Sequence, residues 1–329
     1  MSKMKSFILF ILALLLVCHF PVEAGNHLWE PSHQSSLTHA RWAHFDNHRR
    51  TSTSPWPNKL IPICYGNLEA ERELGPYIKA AMDLWYAAGL PAEYKIQRAH
   101  HLKCVLERPD VLWVYIDPGA FFSSVGKEKP KENPRRGGPV AALHISHNQL
   151  GDPAANIAHE LGHAWGLLHE NHNPVFWAPN NFDKVFKFRC DHLADFDDKI
   201  MGLQQWEIWG HDGICRSSEA AMKAQFSAYQ YLPIHDAVSK HGWYVTEDDV
   251  DWNSIMMLPS WVGGNHRGSP LFHLDGGLIG ANLVPSAQDV EGIRHLYEYR
   301  LSYEAELLLN DPRAFEYSLF RQYAPGCGH

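Results

Sequence analysis

Only six cysteines, a single conspicuous apolar run and fewer basic than acidic side chains are found among the 329 residues. Each shortage excludes something. With 29 Lys and Arg against 37 Asp and Glu the net charge is −8, the wrong sign for a chain built to lie along nucleic acid. The apolar run from Phe7 to Val17 is shorter than the ~20 residues a membrane span needs, and no later stretch approaches that length. No Asn-x-Ser/Thr triplet follows it, so N-glycans are not expected. Internal repeats and heptads are missing too, which removes solenoids and coiled coils. Core-building material is plentiful, at 45% hydrophobic and 12% aromatic residues, so the chain is not a disordered one. Histidine is unusually common, at 22 residues.

Lys3 and Lys5 precede the apolar run, and Val22-Glu23-Ala24 offers small residues at the −3 and −1 positions of a cleavage site. Residues 1–24 therefore read as a signal peptide, with a secreted, extracellular product that keeps no membrane attachment. Without Cys18 five cysteines remain, enough for two disulfides with one left over in an oxidising compartment. The pairing is not determined by sequence; the expectation is Cys190–Cys215, closing one insertion, and Cys64–Cys104 in the N-terminal half. Residues 25–54 are polar and contain Arg49-Arg50. They are either a propeptide with a dibasic processing site or an exposed N-terminal segment.

From Trp56 the texture changes. Leu60 to Tyr65 reads as a strand whose Pro62 suggests an edge or a bulge. Pro76 is expected to open a helix with Ile78, Met82 and Trp85 on one face, stopped by Gly89-Leu90-Pro91. Val111 to Ile116 is a continuous apolar strand of the kind buried on both faces. Residues 127–138, charged and rich in Pro and Gly, read as a solvated loop. Val140 to Ser146 reads as another strand.

Residues 159–170 read HELGHAWGLLHE. Asp152 is a good N-cap and Pro153 suits the first helical position, so a helix is expected from Pro153 to about Trp165. His159 and His163, four apart on it, present two imidazoles from one face to a single cation. Glu160 falls one residue round, where a base acting on metal-bound water would sit. Gly166 is the expected C-cap, turning the chain so that His169 can join the pair. Three neutral nitrogen ligands and an open fourth position describe one catalytic Zn2+ site. A bare H-E-x-x-H arises by chance in roughly 0.09 of chains of this composition, but adding Gly166 and His169 lowers that to roughly 4 × 10⁻⁴.

HExxHxxGxxH resembles the metzincin metallopeptidases, whose second mark is a methionine turn beneath the metal; Asn253-Ser254-Ile255-Met256-Met257 is the matching segment downstream. Within the metzincins the chain is most similar to the astacin family. Ser-x-Met is the astacin form of the turn, and astacins carry Glu where Glu170 stands, against Ser in matrixins and Pro in serralysins. Trp56-Pro57-Asn58 leading into Leu60-Ile61-Pro62 resembles the start of the mature astacin domain. Pro285 to Val290, running on to Tyr297, resembles its closing helix. There Ser286 and Asp289 make a capping box, and Val290, Ile293, Leu296 and Tyr297 an apolar face. The resemblance implies an α+β fold, a metzincin-like two-lobed zinc-peptidase domain. A twisted N-terminal sheet with two long helices would stand over a largely helical or irregular C-terminal lobe. It covers residues 55–300, leaving 301–329 as a C-terminal extension. It further implies that Met256 is the structural floor of the metal site and that Glu170 contacts the mature N-terminus.

The departures are specific. Where astacins place Tyr two residues after the turn methionine, Leu258 stands, so one donor to the developing oxyanion is missing. Gly162 is matrixin-like. Between His169 and Met256 lie 86 residues, a long insertion expected to build extra helices on the lower half.

The resulting expectation is a secreted endopeptidase that hydrolyses peptide bonds with a Glu-activated, zinc-bound water. Zinc would sit on His159, His163 and His169, with Glu160 as base and a protein or peptide as substrate. The substrate would lie extended along an edge strand, for which Val140–Ser146 is the candidate. His144 and His147 fit surface or subsite roles better than extra ligands. Two other classes stay open: a zinc-binding but proteolytically inactive secreted binding protein, and a zinc hydrolase of a non-peptide substrate. Retention of Glu160 speaks against the first, since a purely structural site has no use for a base.

Overall fold

The computed structural model describes residues 53–298 apart from 107, 118–120, 129–140, 147–151, 179–180, 182 and 234–244. The signal peptide, Arg49-Arg50, His147, Cys327, the C-terminal extension and most of the charged loop fall outside the described residues. The fold is α+β, in two lobes with separate apolar cores.

Strand β1 (Thr53–Ser54) opens the described chain, two residues ahead of the boundary drawn from sequence. The upper sheet then takes β2 (Leu60–Tyr65), β3 (Lys95–Arg98), β4 (Leu112–Ile116), β5 (Phe122–Ser123) and β7 (Ala142–Ile145) in the order β3-β2-β4-β7-β5. All neighbours run parallel except β5, which is antiparallel to β7. β6 (Lys127–Glu128) leaves the sheet to pair with β1. Two sequence expectations change here. β2 lies inside the sheet, not at its edge; Pro62 is accommodated because pairing with β4 begins only at Ile63, so the missing N–H interrupts no ladder on that side. The candidate substrate strand, Val140–Ser146, is likewise interior, flanked by β4 and β5. The edge belongs to β5, a two-residue strand too short to carry a periodic signal in sequence.

One face of this sheet is covered by α1 (Leu68–Ala87) and α3 (Pro153–Trp165). α1 begins eight residues before Pro76. Asn67 caps it by accepting from the Ala70 N–H at 2.7 Å, and Ala70 and Leu74 extend the buried stripe of Ile78, Met82 and Trp85. The proline deprives the helix of one hydrogen bond, and packing of the earlier turns outweighs that cost. The short α2 (His101–Leu106) is tied to β2 through the Cys64–Cys104 disulfide.

The lower lobe is assembled from short pieces: α4 (Pro174–Trp177), α5 (Phe196–Lys199), α6 (Gln205–Trp209), α7 (Ser218–Lys223) and the β8–β9 ribbon of Lys187–Phe188 with Leu271–Phe272. These pieces are too short to be stable alone. They are held by a shared apolar core and by the Cys190–Cys215 disulfide, which closes a 25-residue separation. A loop of that size removes roughly 3 kcal/mol of unfolded-state entropy in the chain-entropy account. Both expected disulfides are therefore present. The final helix, α8 (Ala287–Glu298), carries the expected capping box, with Ser286 N–H donating to Asp289 and Asp289 N–H to Ser286 Oγ. Among the described residues no helix is long and apolar enough to cross a membrane.

The boundary between lobes runs through two short stretches. Leu167 packs in the upper core and Leu168 in the lower; Met256 packs above, Met257 and Leu258 below. Both crossing points border the histidine motif or the methionine turn, so the site sits where the two cores meet.

Candidate metal centre

α3 forms as expected from its own residues. Asp152 Oδ1 accepts from the Ala154 and Ala155 N–H groups, Pro153 occupies the first turn, and Gly166 ends the helix at φ 114°. That left-handed turn is one an L side chain resists, and it swings His169 back towards the helix.

The three histidines meet through their Nε2 atoms. His169 Nε2 lies 3.2 Å from His159 Nε2 and 3.2 Å from His163 Nε2. On the outer sides, His159 Nδ1 donates to the Ile255 carbonyl at 2.6 Å and His163 Nδ1 to the Leu167 carbonyl at 2.8 Å. A carbonyl can only accept, so both Nδ1 atoms carry the proton and both Nε2 lone pairs are bare. Bare lone pairs converging at this distance repel unless a cation lies between them. Tetrahedral nitrogen ligands at ~2.05 Å from zinc stand about 3.3 Å apart, and the donor set fits that ion. Burial holds all three imidazoles below the ordinary 6.5, His163 and His169 well below, where neighbouring histidines add to the effect; nearby carbonyls oppose it at each ring. Neutral rings are the form that binds a metal.

Glu160 is buried beside them. Burial pushes its carboxyl up to about 8, opposed by the Ser123 backbone N–H, and its Oε2 has no partner among the described residues. Ser123 belongs to the edge strand β5, so the carboxylate is tied to the strand that borders the site.

Beneath α3 runs the turn Ser254–Met257. Met256 is buried, with its sulfur under Gly162. The turn is braced by α8: Asp289 accepts from Ser254 Oγ at 2.5 Å and from the Ile255 N–H at 2.9 Å, while Met256 N–H bonds to Ser254 Oγ. Ile255 then offers its carbonyl to His159, so the helix cap, the turn and one histidine form a single connected chain of contacts. The layout is metzincin-like.

Comparisons with known proteins add little to this. No family model and no curated protein sequence matches the chain. Among solved structures it is similar to high choriolytic enzyme 1, a hatching-enzyme zinc-protease from Oryzias latipes (medaka fish), at 17% identity and TM-score 0.42, over 77% of this chain and 98% of that one. Two structures of myroilysin match at 16% identity, both over 74% of this chain. One covers 96% of that chain at TM-score 0.39, the other 86% at 0.38. At such identities and scores the metzincin-like centre stands on its own side chains.

The other candidates are placed as follows. Glu170 is buried, donates its N–H to the Met256 carbonyl, and lies with Asp251 and Asp289. Burial and then those two acids push its carboxyl well above the usual range. Asp289 is raised to about 6, chiefly by burial. His144 is apart from the triad, bonded to Asp117 at 2.9 Å and stacked on Phe122. Leu258 is buried in the lower core, so its side chain replaces the absent tyrosine with packing alone.

Gly162, noted in the sequence only as a matrixin-like departure, and His172, which sequence reasoning passed over, both prove informative in the structure. A Cβ on Gly162 would meet Met256 Sδ at 2.4 Å and Trp85 Cζ2 at 3.2 Å, so the residue is needed for the methionine to approach the helix. Gly162→Val is expected to lower stability by about 1–3 kcal/mol through overpacking. Chemical denaturation of the metal-free protein would test this; an unchanged midpoint would mean that Met256 moves aside freely. The signal for Gly162 lay in its position between the two ligand histidines. His172 had no signal beyond being one more histidine in a chain rich in them.

Proposed function

We propose that this chain is a secreted zinc endopeptidase with His159, His163 and His169 as metal ligands and Glu160 as general base. The observation that carries it is a buried carboxylate with one unpartnered oxygen beside three converging bare imidazole nitrogens. Zinc held by His159, His163 and His169 would supply Lewis acidity, acidifying a water near neutral pH and polarising a substrate carbonyl.

Glu160 takes the proton from the attacking water and returns it to the leaving amine. Its raised pKa reflects a site without the metal's charge; a cation alongside favours the ionised form that a base needs. Ser123 holds the carboxylate in place through its N–H. Among the described residues the outer edge of β5 carries no further strand, and we assign it as the strand along which an extended peptide lies. Met256 is the apolar floor that positions α3. Glu170 is proposed to meet the mature N-terminus, a role supported by its burial with two further acids. Among the described residues no ion pair with Lys or Arg is formed by Glu170. In this reading residues 1–24 are removed as a signal peptide and cleavage after Arg50 releases residues 25–50. The partner is a protein or peptide substrate, outside the cell.

Full-length protein expressed with its own leader, then processed after Arg50, is expected to bind one zinc and to hydrolyse casein or gelatin. Activity should vanish on chelation and return with zinc. Zinc binding without cleavage after processing would sink the peptidase reading and leave the secreted binding protein, for which the loss of the tyrosine hydroxyl at Leu258 is the favouring observation.

A further inference from the structure

Two of the three triad histidines have an outer acceptor, Ile255 O for His159 and Leu167 O for His163. His169 does not: its Nε2 faces the other two, so its Nδ1 carries the proton, and that buried N–H finds no partner at hydrogen-bond distance among the described residues. Ligand histidines ordinarily give this proton to a carboxylate, a carbonyl or a water, which fixes the ring and raises its basicity.

A complementary group lies next to it. His172 is 1% exposed and its ring centroid stands 5.0 Å from that of His169, with the planes tilted at 49°. Its Nε2 is 2.6 Å from the Gln230 carbonyl. That carbonyl must accept, so Nε2 holds the proton of His172 and Nδ1 is left as a bare acceptor. This Nδ1 is buried and has no partner among the described residues either. One donor without an acceptor and one acceptor without a donor thus occupy touching rings.

The Gln230 carbonyl lies near enough to His169 to ease protonation of the ring, yet outside hydrogen-bonding geometry of its Nδ1, and it is already shared by His172 and by Asn171 Nδ2 at 3.3 Å. Asn171 also reaches the Tyr231 carbonyl at 3.0 Å. The turn Glu170–His172 is therefore clamped to residues 230–231, which belong to the long insertion.

Resting on the zinc reading above, we propose that His172 is the positioning residue for the third ligand. It accepts the His169 Nδ1–H on its own Nδ1, by a small ring rotation or through one water, while Gln230 locks the tautomer that makes this possible. The insertion that carries Gln230 thereby sets the orientation of a zinc ligand it does not itself supply.

The test separates the two nitrogens of His172 in the full-length protein. His172→Gln keeps an amide where Nε2 bonds Gln230 and loses the Nδ1 acceptor; His172→Asn keeps an acceptor near Nδ1. Zinc affinity is read by competition with a colorimetric chelator, with metal-free thermal unfolding as the control for folding and the visible spectrum of the cobalt-substituted site as a report on ligand geometry. His172→Gln should weaken zinc binding by about 10–100-fold and alter the cobalt spectrum, while His172→Asn stays within about threefold of wild type. Equal affinity of His172→Gln and wild type would overturn the proposal, as would an equal loss in both variants, which would assign the effect to ring packing. A wild type that binds no zinc would instead defeat the zinc reading itself. Should either variant fail to fold, nitrogen-15 NMR of ring-labelled, zinc-loaded wild type decides: a protonated Nε2 and a hydrogen-bonded bare Nδ1 at His172 are expected, and a protonated Nδ1 there overturns the assignment.

Discussion

Glu160→Ala is expected to lower kcat/KM on a protein substrate by about 10²–10⁴-fold, the range that a positioned general base contributes, with one zinc still bound. The two effects separate because Glu160 touches the site without belonging to the donor set: its carboxylate is held by Ser123 on the edge strand, and the Nε2 atoms converge without it. Hydrolysis of a quenched peptide alongside zinc content would check this, and retention of full activity would rule out Glu160 as the base. Glu160→Gln adds a pH readout in the metal-free protein. Burial raises the folded carboxyl from 4.5 to about 8, so the folded state binds more protons than the unfolded one between those values. The stability that this provides is complete below 4.5 and is lost as the pH rises through 8. Metal-free Glu160→Gln should therefore gain on metal-free wild type across that window, with a slope of at most about 1.4 kcal/mol per pH unit; parallel curves would contradict the burial of a titrating carboxyl.

His163→Ala should remove zinc binding and activity together. The residue is buried, supplies one of three converging nitrogens, and fastens the end of the zinc helix to the Leu167 carbonyl just beyond the Gly166 turn. Loss of the ion also withdraws its contribution to stability, about 4 kcal/mol where free zinc exceeds its dissociation constant a thousandfold. Added zinc should raise the unfolding temperature of wild type and leave that of His163→Ala unmoved. A variant that still gains stability from zinc would show that another nitrogen can replace His163, and the buried His172 would be the first to examine.

The Glu160 and His163 expectations draw on residues whose placement was legible before any fold was known, because helix geometry is local. A spacing of four puts His159 and His163 on one face whatever surrounds them. Asp152, Pro153 and Gly166 mark the ends of that helix by backbone chemistry that acts within a few residues. The Ser286–Asp289 capping box was readable for the same reason. What the box is for was not: Asp289 also accepts from Ser254 and Ile255, contacts more than thirty residues away in the chain.

Strand placement failed where pairing is long-range. Val140–Ser146 reads as a strand and is one in its described core, but periodicity carries no information on whether a strand lies inside a sheet or at its edge. Two residues of β5, too few for any pattern, take the edge, so the proposed substrate strand becomes Phe122–Ser123. Pro76 misled in the opposite sense. A proline reads as a helix start by local rules, yet the packing of Ala70 and Leu74 carries the helix through it.

Histidine and cysteine show the division most clearly. Spacing alone picked out His159, His163 and His169 as a converging set, with Glu160 as the proposed base and Gly166 as the turn that joins them, since spacing and backbone conformation act at short range. Four of the cysteines pair as expected, although the pairing was fixed only once the chain was folded. Which nitrogen of each histidine faces the other two, what the outer nitrogens of His159 and His163 lean on, and that a fourth histidine lies against the third were decided by tertiary structure alone. The physical reason is that a tautomer is set by whichever acceptor lies opposite the ring, and those acceptors, Ile255 and Gln230 among them, come from parts of the chain that only the packing of the two lobes brings near.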